Sequence, residues 1–216
     1  YADGSISGSN GIAYTKNDAE YLGISLYGRT EKGNTKILGD ITYLSGDHDI
    51  TQRNGSEIVT ASPDTEAWSI GVKGYREYAA GKGTLTPYIG ARYLRLTTDA
   101  YTSNTGLHYG SDDQDLFLLP VGIDYSWSSQ QEEWTFRPYV GLGYIWTMGD
   151  RDSSQTVTWG TVSDSLVFDT ADAGTFLAKA GVAADRGDFT IGVGYAFQQG
   201  STAKNNVWMG NISYHF

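Results

Sequence analysis

The chain has 216 residues, no cysteine and a formal net charge of −10 at pH 7, with a pI near 4.6. Disulfides and thiolate metal sites are therefore closed to it, and the acidic balance excludes a phosphate-neutralising nucleic-acid binder. No apolar run approaches the ~20 residues of a membrane-spanning helix.

Composition leaves two all-β classes open. The 28 Gly, 16 Tyr and 6 Trp against 4 Pro, at mean hydropathy −0.37, suit a soluble sandwich. They equally suit a membrane barrel whose apolar band is diluted by a polar lumen. The pattern along the chain has to decide.

The first candidate strand, SISGSNGIAYT, is the weakest, with only Ile6, Ile12 and Tyr14 to form an apolar face. Next, Leu22, Ile24 and Leu26 alternate with Gly23, Ser25 and Tyr27, and Ile37, Gly39, Ile41 and Tyr43 with Leu38, Asp40 and Thr42. Ile70, Val72 and Gly74 oppose Lys73, Tyr75 and Glu77; Leu85, Pro87, Ile89, Ala91 and Tyr93 oppose Tyr88, Gly90 and Arg92. In DLFLLPVGIDYSW, Phe117, Leu119, Val121, Ile123, Tyr125 and Trp127 share one face, and Leu118, Gly122 and Asp124 share the other. WTFRPYVGLGYIW repeats this, with Trp134, Phe136, Val140, Leu142, Tyr144 and Trp146 opposite Arg137, Tyr139, Gly141 and Gly143. Phe176, Ala178, Ala180 and Val182 oppose Lys179 and Gly181; Phe189, Ile191, Val193, Tyr195 and Phe197 oppose Gly192 and Gly194. Last come Trp208, Gly210, Ile212, Tyr214 and Phe216, opposite Asn211, Ser213 and His215.

Strict period two is the strand signature. The count is about ten strands, each near the 9–11 residues a tilted membrane strand needs. Apolar faces bracketed by Trp match a lipid-facing band about 25 Å tall between aromatic girdles. The connections alternate too. EKGN, AAGKG, SSQQEE and ADRGD are short, whereas polar loops run near 46–64, 98–112 and 148–171, with a shorter one at 199–206. That alternation predicts periplasmic turns on one rim and extracellular loops on the other. The whole chain, 1–216, reads as one all-β, antiparallel up-and-down transmembrane barrel domain of the Gram-negative outer membrane. An even strand count sets both termini on the periplasmic side. Because an unpaired strand in hydrocarbon leaves its amides unsatisfied, the last strand is expected to close against the first.

The final strand, with an aromatic at Phe216 and apolar or aromatic residues two, four and eight positions back, resembles the C-terminal signal of bacterial outer-membrane proteins. The resemblance implies that Trp208, Gly210, Ile212, Tyr214 and Phe216 are read by the barrel assembly machinery. Residues 20 to 216 are also similar to the C-terminal translocator of autotransporters (type V secretion). Thr86-Pro87-Tyr88, Arg137-Pro138-Tyr139, the Gly-rich penultimate hairpin and the terminal Phe carry that likeness. It implies a barrel that brings a covalently attached N-terminal passenger to the cell surface, with no cofactor and no bond chemistry. It further implies twelve strands and a lumenal helix, so that an N-terminal part would precede Tyr1. The other reading is a smaller stand-alone barrel acting as pore or adhesin.

Lys73, Glu77, Arg92, Asp124, Arg137, Tyr139 and Lys179 are expected to line the lumen, either as a hydrophilic path or as a salt-bridged filling. Asp47-His48-Asp49 on the outer rim is the feature that an omptin-like surface protease would need, since a His held by a carboxylate activates water. The facing loop offers Asp150, Asp152, Asp164 and Asp169 but no His, so the enzymatic reading is set aside. Asp112, Asp113, Asp115, Asp150 and Asp152 make the rim acidic. Solvated loop carboxylates are the default there; divalent cations bridging them to lipopolysaccharide phosphates are the alternative. No site for a bound cofactor or resident metal is expected.

Overall fold

The structure, a computed structural model, describes residues 2–9 and 13–214. Ten strands run in chain order: β1 (Ala2–Ser9), β2 (Ala13–Lys32), β3 (Thr35–Asn54), β4 (Asp64–Arg76), β5 (Gly83–Thr98), β6 (Asp112–Trp127), β7 (Trp134–Gly149), β8 (Gly174–Arg186), β9 (Phe189–Gln199) and β10 (Lys204–Tyr214). Each pairs antiparallel with the next, giving one curled up-and-down sheet with no helix among the described residues. Two-residue turns close its lower rim at 33–34, 81–82, 132–133 and 187–188. Tight hairpin turns need a positive φ. Gly33, Gly81 and Gly187 supply it at 59°, 60° and 57°, while Glu132 adopts 55° without glycine's freedom.

The two faces separate as the alternation requires. The registers Val121↔Tyr144, Leu119↔Trp146 and Ile123↔Leu142 put the apolar rows of β6 and β7 on one side. Across β4, β5 and β6, Trp68 meets Tyr93 edge-on at 5.1 Å and Tyr93 meets Phe117 at a tilt at 5.0 Å, an aromatic row above Ile70, Val72 and Ile89. Tyr125 and Trp127 stack at 5.7 Å near the turn rim. This side is open: Ile24 is 67 %, Leu26 72 % and Ile89 65 % exposed. No described side chain falls below 2 % exposure. A water-soluble domain of this size would bury such groups, because burial is its main source of stability. An apolar band flanked by aromatics serves lipid instead.

Several expectations are corrected. The strands are longer than a membrane crossing needs: β2 and β3 have 20 residues each. The segments read as polar loops fold as hairpins. β3 continues to Asn54 and is met by a strand at Glu57–Ala61. Tyr101–Thr102, His108–Tyr109, Asp152–Trp159 and Val162–Asp169 make a separate four-stranded sheet on the upper rim. Above the bilayer a strand need not carry an apolar face, so period two loses its signal there. Likewise SISGSNGIAYT is not one strand. Its first residues belong to β1 and its last to the upper end of β2, while Ile12 lies outside the described residues.

The third correction concerns closure. Among the described residues β1 and β10 are not paired, and the sheet is open. The register explains why. β1 lies against the upper part of β2, from Ala2↔Tyr21 to Ser9↔Tyr14. It stops just above Leu22, Ile24 and Leu26. At the level of the apolar band, no described residue pairs with that edge of β2. β10 pairs with β9 down to Phe189↔Tyr214; Phe216 lies outside the described residues.

Candidate functional site

The concave face opposite the apolar band is where chemistry collects. At mid-wall its inner-facing residues are largely polar groups and glycines, and the glycines explain how the polar groups are arranged. Tyr88 on β5 pairs with Gly122, which pairs with Gly143, so one row crosses three strands. The tyrosine lies along that row: a Cβ at Gly143 would stand 2.5 Å from its hydroxyl. Tyr139 on β7 repeats the device two strands on, over Gly181 and Gly194. A Cβ at Gly181 would stand 2.5 Å from Tyr139 Oη. The two Pro-Tyr motifs thus do the same thing, each laying a ring flat in a glycine trough.

The ion pairs use the same rule. Arg92 on β5 donates through Nη2 to both Asp40 oxygens on β3, at 2.7 Å each, and through Nη1 to Ser69 Oγ at 2.7 Å. The intervening β4 carries Gly71 at the crossing, where a Cβ would lie 2.8 Å from Arg92 Nη2. Lys179 on β8 reaches Asp124 on β6 at 2.9 Å, over Gly141 on β7. Lys36 meets Glu77 at 2.5 Å, and Arg137 meets Asp185 at 2.7 Å, nearer the turn rim. Lys73 sits 3.7 Å above the Tyr88 ring. All seven residues expected to line the lumen, Lys73, Glu77, Arg92, Asp124, Arg137, Tyr139 and Lys179, lie on this concave face, spread from β4 to β8 and its flanking turn.

Sequence reading missed the glycine troughs and a leucine-lined hollow. Leu94, Leu96, Leu116 and Leu118 lie on the inner side near the upper rim and border a cavity of about 370 Å³. Their presence in a run such as LFLLP, apolar on both faces, hides them. The last strand, β10, places Trp208 against Tyr195, ring centres 4.8 Å apart, with Ile212 and Tyr214 exposed on the outer side.

The rim groups are engaged by neighbours. His48 is on the inner side of β3, bonded to Asn17, Tyr21 and Thr65 at 3.1–3.3 Å rather than to a carboxylate. Burial lowers its pKa below the usual imidazole value against the pull of Asp47 and Asp64. That is not the His–carboxylate geometry of a general base. Asp112 bonds Ser153 and the Ser154 amide; Asp113 takes Arg95 and Thr97; Asp115 takes Tyr93. Asp172 accepts from Ser201, from both the amide and hydroxyl of Thr202, and from the Ala203 amide, which hold its carboxyl far below the usual range.

Comparisons with known proteins agree with this geometry. The family model for the autotransporter β-domain matches residues 1–198. No curated protein sequence matches the chain. Its structure is similar to the translocator domain of the autotransporter NalP from Neisseria meningitidis, with TM-score 0.68 and 16 % identity over 96 % of this chain and 69 % of that one. It is also similar to the β-domain of the Bordetella autotransporter BrkA, with TM-score 0.69 and 15 % identity over 98 % and 87 %. At these identities the likeness is one of fold.

Proposed function

Because this chain belongs to the autotransporter β-domain family, outer-membrane translocators of a linked N-terminal passenger, we propose that residues 1–216 act as one barrel-forming unit whose concave face lines the passenger's route. The observation that carries this reading is the division of faces. Apolar side chains from Leu22 to Ile212 stand open on the outside, while four inner cations, Lys36, Arg92, Arg137 and Lys179, are held to the wall by carboxylates. Lys73, Glu77, Arg92, Asp124, Arg137, Tyr139 and Lys179 are the wall of that route. The work is passage of a chain, not bond chemistry.

The turn rim is assigned to the periplasm and the hairpins to the cell exterior. Trp208, Gly210, Ile212, Tyr214 and Phe216 are assigned to recognition by the barrel assembly machinery, and the acidic upper rim to contact with lipopolysaccharide.

Expression of the full-length gene product in a Gram-negative host tests this. Passenger should reach the surface of intact cells. With no native Cys in the chain, a Cys at Ser165 should react with an impermeant maleimide, and one at Arg186 should not. Labelling of position 186 with position 165 protected would reverse the rims. A barrel inserted with nothing displayed would favour the stand-alone pore or adhesin.

A further inference from the structure

The inner-face cations of β2–β10 are Arg29, Lys36, Lys73, Arg92, Arg137 and Lys179. Lys36, Arg92, Arg137 and Lys179 are neutralised by Glu77, Asp40, Asp185 and Asp124. Arg29 is exposed near the turn end of β2, open to water. Lys73 differs from both groups. It is half-buried in the middle of β4, and among the described residues no carboxylate forms an ion pair with it. Its ammonium instead sits 3.7 Å over the Tyr88 ring, with the Lys179 ammonium 5.7 Å from the same ring. Two ammonium groups thus flank one tyrosine; Asp124 forms its ion pair with Lys179, and its charge reaches Lys73 only from beyond ion-pair distance.

Position and orientation are fixed. Lys73 pairs with Gly90 across β5, where a Cβ would stand 2.9 Å from the Val72 carbonyl, so the lysine stem crosses bare backbone to reach Tyr88. Tyr88, 8 % exposed, is itself held in its glycine trough. A partly desolvated charge draws a counter-ion, and a ring's quadrupole supplies only part of one. Every other mid-wall cation has found its carboxylate on the wall.

We propose that Lys73 is the docking point for an Asp or Glu side chain of the polypeptide segment inside the lumen, received over the Tyr88 ring. The inference rests on the translocator reading and adds to it a chemical preference: the occupant carries an acidic residue at mid-wall height.

Zero-length carbodiimide coupling of the full-length protein in isolated outer membranes, followed by peptide mass mapping, tests it. Lys36–Glu77 and Lys179–Asp124 amides serve as internal standards. The expected result is a further amide from Lys73 to an Asp or Glu outside residues 1–216, absent in Lys73→Gln while the Lys36–Glu77 link persists. Lys73→Glu should also delay appearance of passenger at the surface, and Lys73→Arg should not. The inference is overturned if Lys73 stays uncoupled, or couples only to Asp124 or Asp40, while the standards form. Passenger display is scored in parallel. Its absence in wild type would overturn the translocator reading, whereas display with an uncoupled Lys73 would overturn this inference alone.

Discussion

Glycine stands on both faces of the sheet and does opposite things there. In strand interiors the inner-face glycines Gly71, Gly90, Gly143 and Gly181 would each put a Cβ within 2.9 Å of a neighbouring group, and Gly122, Gly141, Gly192 and Gly194 would clash harder still. The outer-face glycines of the strand interiors, Gly28, Gly39, Gly74 and Gly210, meet nothing closer than 3.7 Å, whereas Gly83 and Gly174, at the strand starts, are crowded by Tyr125 and Tyr144. Inside, glycine is a seat for a tyrosine ring or an ion pair that must lie flat; outside, it is a gap in the lipid-facing band. A curved sheet crowds its concave side, so shape alone makes that difference, and it keeps long polar side chains against the wall.

Adjacent residues on opposite faces give the sharpest way to break this. Leu142 faces lipid at the middle of β7, 54 % exposed. Leu142→Arg should cost about 2–4 kcal/mol of barrel stability in lipid. Thr42→Arg, on the inner face of β3, should stay within about 1 kcal/mol, the scale of its hydrogen bond to Ser25. Equal costs in reversible unfolding from vesicles would mean that the faces are misassigned.

One step smaller, Gly143→Val fills the Tyr88 trough and should cost about 1–3 kcal/mol through overpacking. In a double-mutant cycle, Tyr88→Ala should return part of that loss, because the two residues share one space. Gly28→Val on the outer face should change stability by no more than about 0.5 kcal/mol. If Gly28→Val proved as costly as Gly143→Val, strand entropy rather than seating would explain these glycines.

The faces were legible in the sequence and the seats were not, for one reason. Period two is a local property, so the sides of Val121 or Leu142 could be read within a dozen residues. A seat depends on register between strands: Arg92 and Asp40 lie 52 residues apart, and the glycine beneath them belongs to a third strand. The Pro-Tyr motifs and the G-x-G pairs were visible separately, but nothing local joins Tyr139 to Gly181. Above the membrane even the local signal fades. VSDSLVFD is a fully exposed strand with Asp among its apolar residues, and it reads as loop. That no described residue pairs with the band-level edge of β2 was hidden likewise, since only the pairing of Ala2 with Tyr21 shows how high β1 sits.

The end of the chain tests whether the terminal aromatic of the sequence is there for lipid or for assembly. Deleting Phe216 removes at most one apolar side chain, about 1.5–3 kcal/mol if fully buried. The larger expected change is in delivery: less barrel in the outer membrane and more unfolded chain in the periplasm, on quantitative blotting of cell fractions. Ser213→Ala, on the other side of the strand, should leave both fractions unchanged. Wild-type surface levels with a lowered melting temperature would reduce Phe216 to a packing residue.

The smallest effect belongs to the rim, which neither face controls. Asp172 ties the segment before β8 to the β9–β10 connection through Ser201, Thr202 and Ala203. Those hydrogen bonds favour the carboxylate, so its pKa is lower in the folded protein than the ordinary ~3.9 of a free Asp. A depressed folded pKa means the stabilisation is complete above the unfolded value and is lost as pH falls through the folded one. Hydrogen exchange of the 199–204 amides should therefore stay protected at pH 7 and pH 5 and loosen only under strongly acidic conditions, with the sheet amides of β9 unaffected. Asp172→Ala should show the loosened pattern already at pH 7, because the acceptors are gone at every pH. A mutant as well protected as wild type at pH 7 would mean that the strand ends, not this carboxylate, hold the rim.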